Sequence, residues 1–152
     1  MTLVELLKKY KDELILEAND VLNSKGLKNY KKSGKSINVL RLKSLYESIL
    51  NAVEKQNMLS VIQYAEKIAS ERFNSGYEIY EVQTAFNALE EVIWKKIILI
   101  LESNQVADGL RAVSTIMGAG KESLANSYVG FSRSTKTPAI NQKALFEGTD
   151  GS

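Results

Sequence analysis

The 152-residue sequence contains no histidine, no cysteine and a single proline. Without histidine and cysteine, the chain lacks the commonest general base, the commonest transition-metal ligand, every thiolate nucleophile and the usual axial ligands of haem. Disulfides are excluded as well, which is typical of proteins of a reducing cytoplasm. We therefore expect a cytoplasmic protein that is not an enzyme and that holds no cofactor and no metal.

Charge and hydropathy argue against two further classes. The chain carries 20 lysines and arginines against 18 acidic residues, a net charge of +2, which does not favour a protein that wraps around nucleic acid. The longest apolar run covers residues 97–101, far short of the ~20 residues that cross a bilayer. The N-terminus lacks the uninterrupted apolar core of a secretory signal. These features predict a soluble protein without a membrane span.

Apolar residues recur every three or four positions over most of the chain, the spacing of one face of a helix. Thr2 and Glu5 form a capping-box pattern, which predicts a first helix that ends at Asn23. Residues 24–35 are polar and contain glycine, so they are predicted to form a loop with room for one short helical turn. Further helices are predicted over residues 36–56, 57–74, 79–100 and 105–133.

Five helices with short connections predict a single all-α bundle, and the domain is expected to span residues 1–133. Residues 134–152 are predicted to be a C-terminal tail or linker, since apolar residues are sparse there and Pro138 interrupts them. The helix over 79–100 has the longest apolar stripe, widened by Ala85, Val92 and Leu99, and is predicted to be central and buried on much of its circumference. Gly118 and Gly120 interrupt the last helix, which predicts close packing or a bend there.

One short motif resembles the end of a phosphate-binding loop. Gly118, Ala119, Gly120 and Lys121 fit the last part of GxxxxGK[ST], but position 115 is threonine and Glu122 follows the lysine. A helical stripe rather than a strand precedes the motif. The pattern therefore favours close helix packing over nucleotide binding.

Paired acids occur at Glu90 and Glu91. Di-metal sites in helical bundles combine glutamates with histidines, and the chain has no histidine to complete such a site. A magnesium or calcium site made of carboxylates alone is left open by the residues. Because Glu91 lies four residues before Lys95, pairing on a solvated helix surface is the favoured interpretation.

Every charged residue between Asp20 and Glu47 is positive. Such a cluster suits a phosphate-rich polymer, an anionic membrane face or an acidic protein partner, whereas the plain alternative is a loop kept in solution by lysines. No groove-reading motif accompanies it, so nucleic acid is disfavoured. The candidate residues for docking a partner are Lys28, Lys31, Lys32 and Lys35.

Aromatic and large aliphatic residues lie on or near the apolar stripes, so they are predicted to fill the core or a self-association surface. A pocket for a small apolar ligand, such as a lipid chain, is the alternative, with Phe86, Leu89 and Ile93 as its lining. This pocket gives the rival hypothesis of a small ligand-binding helical protein.

A specific order of residues lies in the middle of the chain. It consists of Ala65–Ala69, Arg72 and then Gly76, Tyr77, Glu78, Ile79, Tyr80, Glu81 and Val82, leading to Ala85, Phe86 and Leu89, and residues 6–14 add to it upstream. This order resembles the N-terminal domain of the RsbT co-antagonist proteins, the sensory subunits of bacterial stressosomes, and the likeness covers residues 3–133. Glu78 departs from the pattern, since the family often has a capping serine or threonine there.

The resemblance implies a globin-like fold of five or six helices without haem, which pairs as a homodimer through its terminal helices and serves as an input or protein-interaction module. The family normally continues into a phosphorylatable output domain. The resemblance carries no catalytic residues over to this chain. On this basis the expected function is non-catalytic signalling through helix packing and contacts with partners in a stress-sensing assembly. The candidate dimer surface combines the first and last helices through Leu7, Tyr10, Leu14, Met117, Leu124 and Tyr128.

Overall fold

The computed structural model describes the backbone of residues 1–146 and the side chains of residues 1–134. This part of the chain is all-α, as the apolar spacing predicts, and it contains no strand. It has seven helices rather than five. In chain order they are α1 (Leu3–Lys9), α2 (Lys11–Ser24), α3 (Lys28–Ser33), α4 (Lys35–Lys55), α5 (Leu59–Asn74), α6 (Ile79–Ile100) and α7 (Ser103–Phe146).

The predicted first helix is divided at Tyr10 into α1 and α2. Its N-terminal capping box is confirmed, because the backbone N–H of Thr2 donates to Glu5 Oε1 and that of Glu5 donates to Thr2 Oγ1, both at 3.1 Å. At the break, the Tyr46 hydroxyl of α4 donates to the carbonyl of Leu7 at 2.5 Å. A carbonyl in the last turn of a helix needs such an outside donor. The bond joins residues 39 positions apart, so local spacing does not predict it.

The helix α3 forms inside the predicted loop. Tyr30 is buried at the centre of α3 and anchors this short helix against the bundle. Its carbonyl accepts a hydrogen bond of 2.7 Å from Nδ2 of the buried Asn38 in α4. One buried tyrosine and one amide hydrogen bond thus hold a segment whose lysines all face solvent.

The bundle packs α7 against α5 and α6, while α2 lies between α4 and α6. The predicted stripe of α6 is confirmed over Val82, Phe86, Leu89, Ile93 and Ile97, each at most 1% exposed. The wider stripe is confirmed at Ala85 and Val92, which are 6% and 2% exposed, but it is wrong at Leu99, which is 74% exposed. Because successive helix positions are 100° apart, Leu99 lies on the opposite face from Ile97.

Helix α7 has 44 residues, twice the 22 of α6. At a rise of about 1.5 Å per residue its length is about 66 Å against about 33 Å for α6. The predicted end near Arg133 is therefore wrong, because the helical backbone continues through residues 134–146. The remaining residues of the predicted tail, 147–152, lie outside the described residues.

No helix in the described part of the chain combines the length and the apolar character that a membrane span requires.

The two glycines of α7 differ in their surroundings. A Cβ on Gly120 would lie 3.1 Å from Val61 Cγ2 and 3.3 Å from Phe86 Cε2, whereas a Cβ on Gly118 would meet nothing within 4 Å. Close packing is therefore confirmed at Gly120 only.

We predict opposite effects for Gly118→Ala and Gly120→Ala. Alanine at the exposed Gly118 removes the helix penalty of glycine and stabilises the fold by up to ~1 kcal/mol. Alanine at Gly120 presses on two fully buried side chains and destabilises by about 1–3 kcal/mol, because a packed core resists added methyl groups. Urea unfolding of both variants provides the measurement, and equal effects would contradict the packing role of Gly120.

We also predict that Tyr46→Phe lowers the free energy of unfolding by about 1–3 kcal/mol, because the Leu7 carbonyl loses its donor. Tyr80→Phe serves as the control, since Tyr80 is exposed on α6. Chemical denaturation compares the two hydroxyl deletions, and a Tyr46→Phe variant as stable as its control would refute the assigned bond.

Candidate functional site

Four side chains converge where α3, the start of α4, the end of α5 and the α5–α6 connection meet. They are Tyr30, Arg41, Arg72 and Tyr77, which we call the arginine–tyrosine cluster. The Arg41 Nη1 donates to the Tyr77 hydroxyl at 2.7 Å, and the rings of Tyr30 and Tyr77 meet edge to face with centroids 5.3 Å apart. The guanidinium carbons of Arg41 and Arg72 lie 5.3 and 5.9 Å from the Tyr77 ring centroid. The cluster therefore brings two cations to one aromatic ring.

Arg72 lies in the last turn of α5 and is only 6% exposed. Its Nη1 is 3.3 Å from Glu71 Oε2, but the Glu71 side chain is 52% exposed, so this ion pair is formed at the solvent boundary. Its Nε has no hydrogen-bond partner within the described part of the chain. Burying a charge is costly unless the charge is paired and hydrogen-bonded. The positive charge of Arg72 is thus only partly compensated.

Gly76 sets the path of the chain from Arg72 to Tyr77. Its φ of +83° lies in the left-handed region, where a side chain is disfavoured, and the backbone reverses there. As a result, the Tyr77 backbone N–H donates to the carbonyl of Arg72 at 2.9 Å. The turn therefore places the Tyr77 ring beside the guanidinium of Arg72, while the backbone N–H of Tyr77 caps the carbonyl of the same arginine.

A small internal cavity lies next to the cluster. Counted as the space open to the centre of a water molecule, its volume is about 10 Å³, which is room for about one water-sized occupant. Its wall combines polar and apolar residues. The lining includes Tyr30, Asn38, Arg41, Tyr64, Arg72 and Phe86.

The tyrosines of the cavity are neutral near pH 7. Burial raises the pKa of Tyr30 and of Tyr64 to about 12, and the nearby arginines only partly offset this effect. The Tyr64 hydroxyl donates to the Arg41 carbonyl at 3.1 Å. These phenols therefore supply dipoles to the cavity and no negative charge that would balance Arg72.

Glu81 and Asn29 connect α6 to α3. The carboxylate of Glu81 is buried and accepts hydrogen bonds from the Asn29 Nδ2 at 2.7 Å, the Asn29 backbone at 3.1 Å and the Glu78 backbone at 3.0 Å. Burial alone would raise the pKa of Glu81, but these bonds outweigh it and lower the pKa below its ordinary 4.5. Glu81 therefore acts as a charged structural acceptor.

Tyr128 links the cluster to α7. Its buried hydroxyl donates to the Tyr77 carbonyl at 3.0 Å, and its ring meets Phe73 of α5 edge to face at 5.6 Å. The Tyr77 hydroxyl in turn bonds Arg41 and donates to the Asn29 carbonyl at 3.3 Å. Residue 77 thus contacts α3, α4 and α7 through hydrogen bonds.

The candidate apolar pocket is solid core in this structure. Phe86, Leu89 and Ile93 are each at most 1% exposed, and Phe86 alone of the three lines the cavity of about 10 Å³. The three side chains lie together on one face of α6, as their spacing predicts, but the space beside Phe86 is far smaller than a lipid chain.

The candidate dimer surface requires correction. Leu7, Leu14, Met117 and Leu124 are fully buried in the chain's own core, Tyr128 is 7% exposed, and only Tyr10 is partly accessible. The apolar face of each terminal helix is used within the bundle, so it does not face a second copy. The sequence pattern identifies apolar faces correctly but does not say which of them the chain covers itself.

The candidate docking lysines Lys28, Lys31, Lys32 and Lys35 are all exposed on or beside α3. Within residues 1–134, no carboxylate lies within ion-pair distance of these four side chains. The structure brings them to one short segment next to the arginine–tyrosine cluster, and Lys28 contributes to the field that lowers the pKa of Glu81.

The motif at residues 118–121 lies inside α7 and forms no phosphate loop. Lys121 Nζ contacts Asn87 Oδ1 at 2.9 Å and Glu90 Oε1 at 2.8 Å on α6, so Glu90 pairs with Lys121. Within the residues that the structure describes, three acidic side chains nowhere gather as a metal site requires.

Sequence reasoning assigned no role to the main members of the cluster. Arg72 follows Ile68 by four positions and Ala65 by seven, so it continues the buried stripe of α5. Glu81 lies four positions before Ala85 and seven before Ala88, so it shares the buried stripe of α6. A charged residue at a stripe position was the available signal, since such residues are rarely buried without a partner.

Comparisons with protein-family models, with curated proteins and with solved structures give no significant match to this chain. The chemistry of the cluster is therefore the basis for a functional proposal.

We predict that Glu81→Gln lowers the free energy of unfolding at pH 7 by about 1.5–3 kcal/mol, because hydrogen bonds to a charged acceptor weaken. Because the folded-state pKa of Glu81 is lowered, the stability that the carboxylate contributes is present above about pH 4.5 and is lost as the pH falls through its folded-state pKa. The difference from the unaltered protein must therefore shrink in acid. Denaturation between pH 3 and 7 measures it, with the exposed Glu122→Gln as the matched charge change. A difference that does not depend on pH would count against the assignment.

Proposed function

We propose that this chain is a non-catalytic signalling input domain, in which the state of the arginine–tyrosine cluster is passed to α7. The order Gly76 to Val82, which resembles the RsbT co-antagonist pattern, coincides with the turn that carries Tyr77 and with the Glu81 contact. The proposal therefore includes a haem-free, globin-like module of a bacterial stress-sensing system, located in the cytoplasm.

The hydrogen bond from Tyr128 to the Tyr77 carbonyl is the observation that carries this proposal. Tyr77 is bonded to α3 and α4 through its hydroxyl and to α7 through its carbonyl. A shift of Tyr77 therefore changes the packing of α7 at the same time as it changes the geometry of the cluster. Differential binding to two such arrangements is the means by which a ligand switches a bundle.

Helix α7 supports the output role through its length. About half of it suffices to run along α5 and α6, and the backbone continues as a helix to Phe146. A helix that leaves its bundle delivers motion to whatever it meets next. In the proposed system this is a partner subunit or an output domain.

The rival function, storage of an apolar ligand, is not favoured. A lipid chain needs a pocket of several hundred Å³, whereas the cavity lined by Phe86 has a volume of about 10 Å³ and is edged by two arginines. Homodimer formation stays part of the proposal, but it requires a surface other than the buried side chains of the candidate dimer surface. The exposed α3 lysines are the proposed contact for an acidic partner.

Amide hydrogen exchange tests the coupling. In Tyr128→Phe we expect at least tenfold faster exchange in two separate segments, residues 75–79 of the α5–α6 connection and residues 125–134 of α7, because the bond that joins them is lost. Tyr80→Phe, which deletes an exposed hydroxyl on α6, leaves both segments unchanged. Mass spectrometry of peptic fragments provides the readout.

Two results would refute the proposed transfer of a structural change from the arginine–tyrosine cluster to α7, which we call the relay. One is unchanged exchange in both segments of Tyr128→Phe. The other is faster exchange confined to α7, since this shows a local packing defect without coupling to the cluster.

A further inference from the structure

We infer that the cavity beside Arg72 binds one small monovalent anion of about the size of chloride, held between the guanidinium groups of Arg41 and Arg72. The inference deepens the proposed function and rests on it for the role of the anion as a signal. The binding itself is measured independently of any signalling.

The charge of Arg72 is the first reason. The side chain is 94% buried, its Nε has no partner among the described residues, and both arginines line the same cavity. An unpaired N–H of a buried cation costs free energy that an anion in hydrogen-bond contact recovers. A water molecule in the cavity supplies an acceptor but no negative charge.

The acidic groups around the cavity do not supply that charge in full. Glu71 reaches Arg72 Nη1 at 3.3 Å from a half-exposed position and leaves Nε unpartnered. Glu81 is engaged by Asn29 and by the Glu78 backbone through three hydrogen bonds. The tyrosine hydroxyls are neutral, and that of Tyr64 is already bonded to the Arg41 carbonyl. An external anion therefore meets two arginines in the lining of the cavity and no competing carboxylate there.

The cavity also limits the size of the ligand. The cavity has room for about one water-sized occupant, so chloride, which is larger than water, enters with a small outward shift of the lining, whereas sulfate, phosphate and organic carboxylates are excluded unless the bundle opens. Arg41 lines the cavity and is half-buried, and the exposed lysines of α3 flank Tyr30, which lines the same cavity. This positive surface raises the local concentration of anions at the entrance.

A chloride titration at constant ionic strength provides the test. The protein is dialysed into sodium gluconate, chloride replaces gluconate in steps, and the thermal unfolding midpoint and the chloride-35 NMR linewidth are recorded. We expect the midpoint to rise and saturate, with exchange-broadened chloride at the same concentrations. Sulfate, matched for ionic strength, stabilises proteins in general by exclusion from their surface and gives no saturating rise.

Three variants assign the site. Arg72→Met keeps an unbranched apolar stem but removes the guanidinium, so it abolishes the chloride response, and Arg41→Gln weakens the apparent affinity at least tenfold. Arg111→Gln removes the same charge from an exposed position of α7 and keeps the response. If Arg72→Met does not fold, Arg41→Gln against Arg111→Gln decides the matter.

The inference is overturned by a flat titration of a dialysed protein that ion chromatography shows to be free of chloride. It is also overturned by equal responses of Arg41→Gln and Arg111→Gln, or by a sulfate response that saturates as the chloride response does. The relay is judged separately from hydrogen exchange of residues 125–134 with and without chloride. Chloride binding without any change there leaves the anion site standing and removes the role of the anion as the signal, whereas a coupling defect in Tyr128→Phe without chloride binding supports the relay and removes the anion site.

Discussion

The burial of the Arg72 guanidinium is the constraint around which one end of this bundle is organised. A cation that is 6% exposed requires polar or aromatic neighbours on every side. The Gly76 turn brings the Tyr77 ring to Arg72. Helix α4 contributes Arg41, whose carbonyl accepts a hydrogen bond from Tyr64, and α3 contributes Tyr30. Glu81 then fixes α3 through Asn29. Of the four buried polar or charged residues in the described part of the chain, Asn38, Arg72 and Glu81 lie at this end and Asn19 does not, so this end differs in chemistry from the rest of the bundle.

The fold follows from apolar spacing wherever one helix face alone decides the outcome. The ends of α5 and the bounds of α6 are predicted closely, because turn residues flank long stripes there. The break at Tyr10 and the helix α3 depend on Tyr46 and Asn38, whose partners lie elsewhere in the chain. The helical backbone of residues 134–146 is not predicted, because sparse apolar residues and Pro138 favour a break that the backbone does not make.

The site was harder to predict than the fold. Arg41 was counted in a run of positive charge, Tyr64 among the core aromatics, and Arg72 and Tyr77 only within a resemblance. Each becomes significant through its neighbours in space, which one sequence does not provide. The burial of Leu7 and Leu124 shows the same limit for surfaces. Residue spacing identifies an apolar helix face, whereas only the packed bundle shows whether the chain itself covers that face.

The length of α7 has a mechanical consequence. Phe146 lies 18 residues beyond Tyr128, a separation of about 27 Å along the helix axis. Tilting that segment by roughly 5° about Tyr128 displaces its far end by about 2 Å, given that rise per residue. A sub-ångström adjustment at the pivot is thus amplified by leverage alone, and a neighbour at the far end would sense it without touching the bundle.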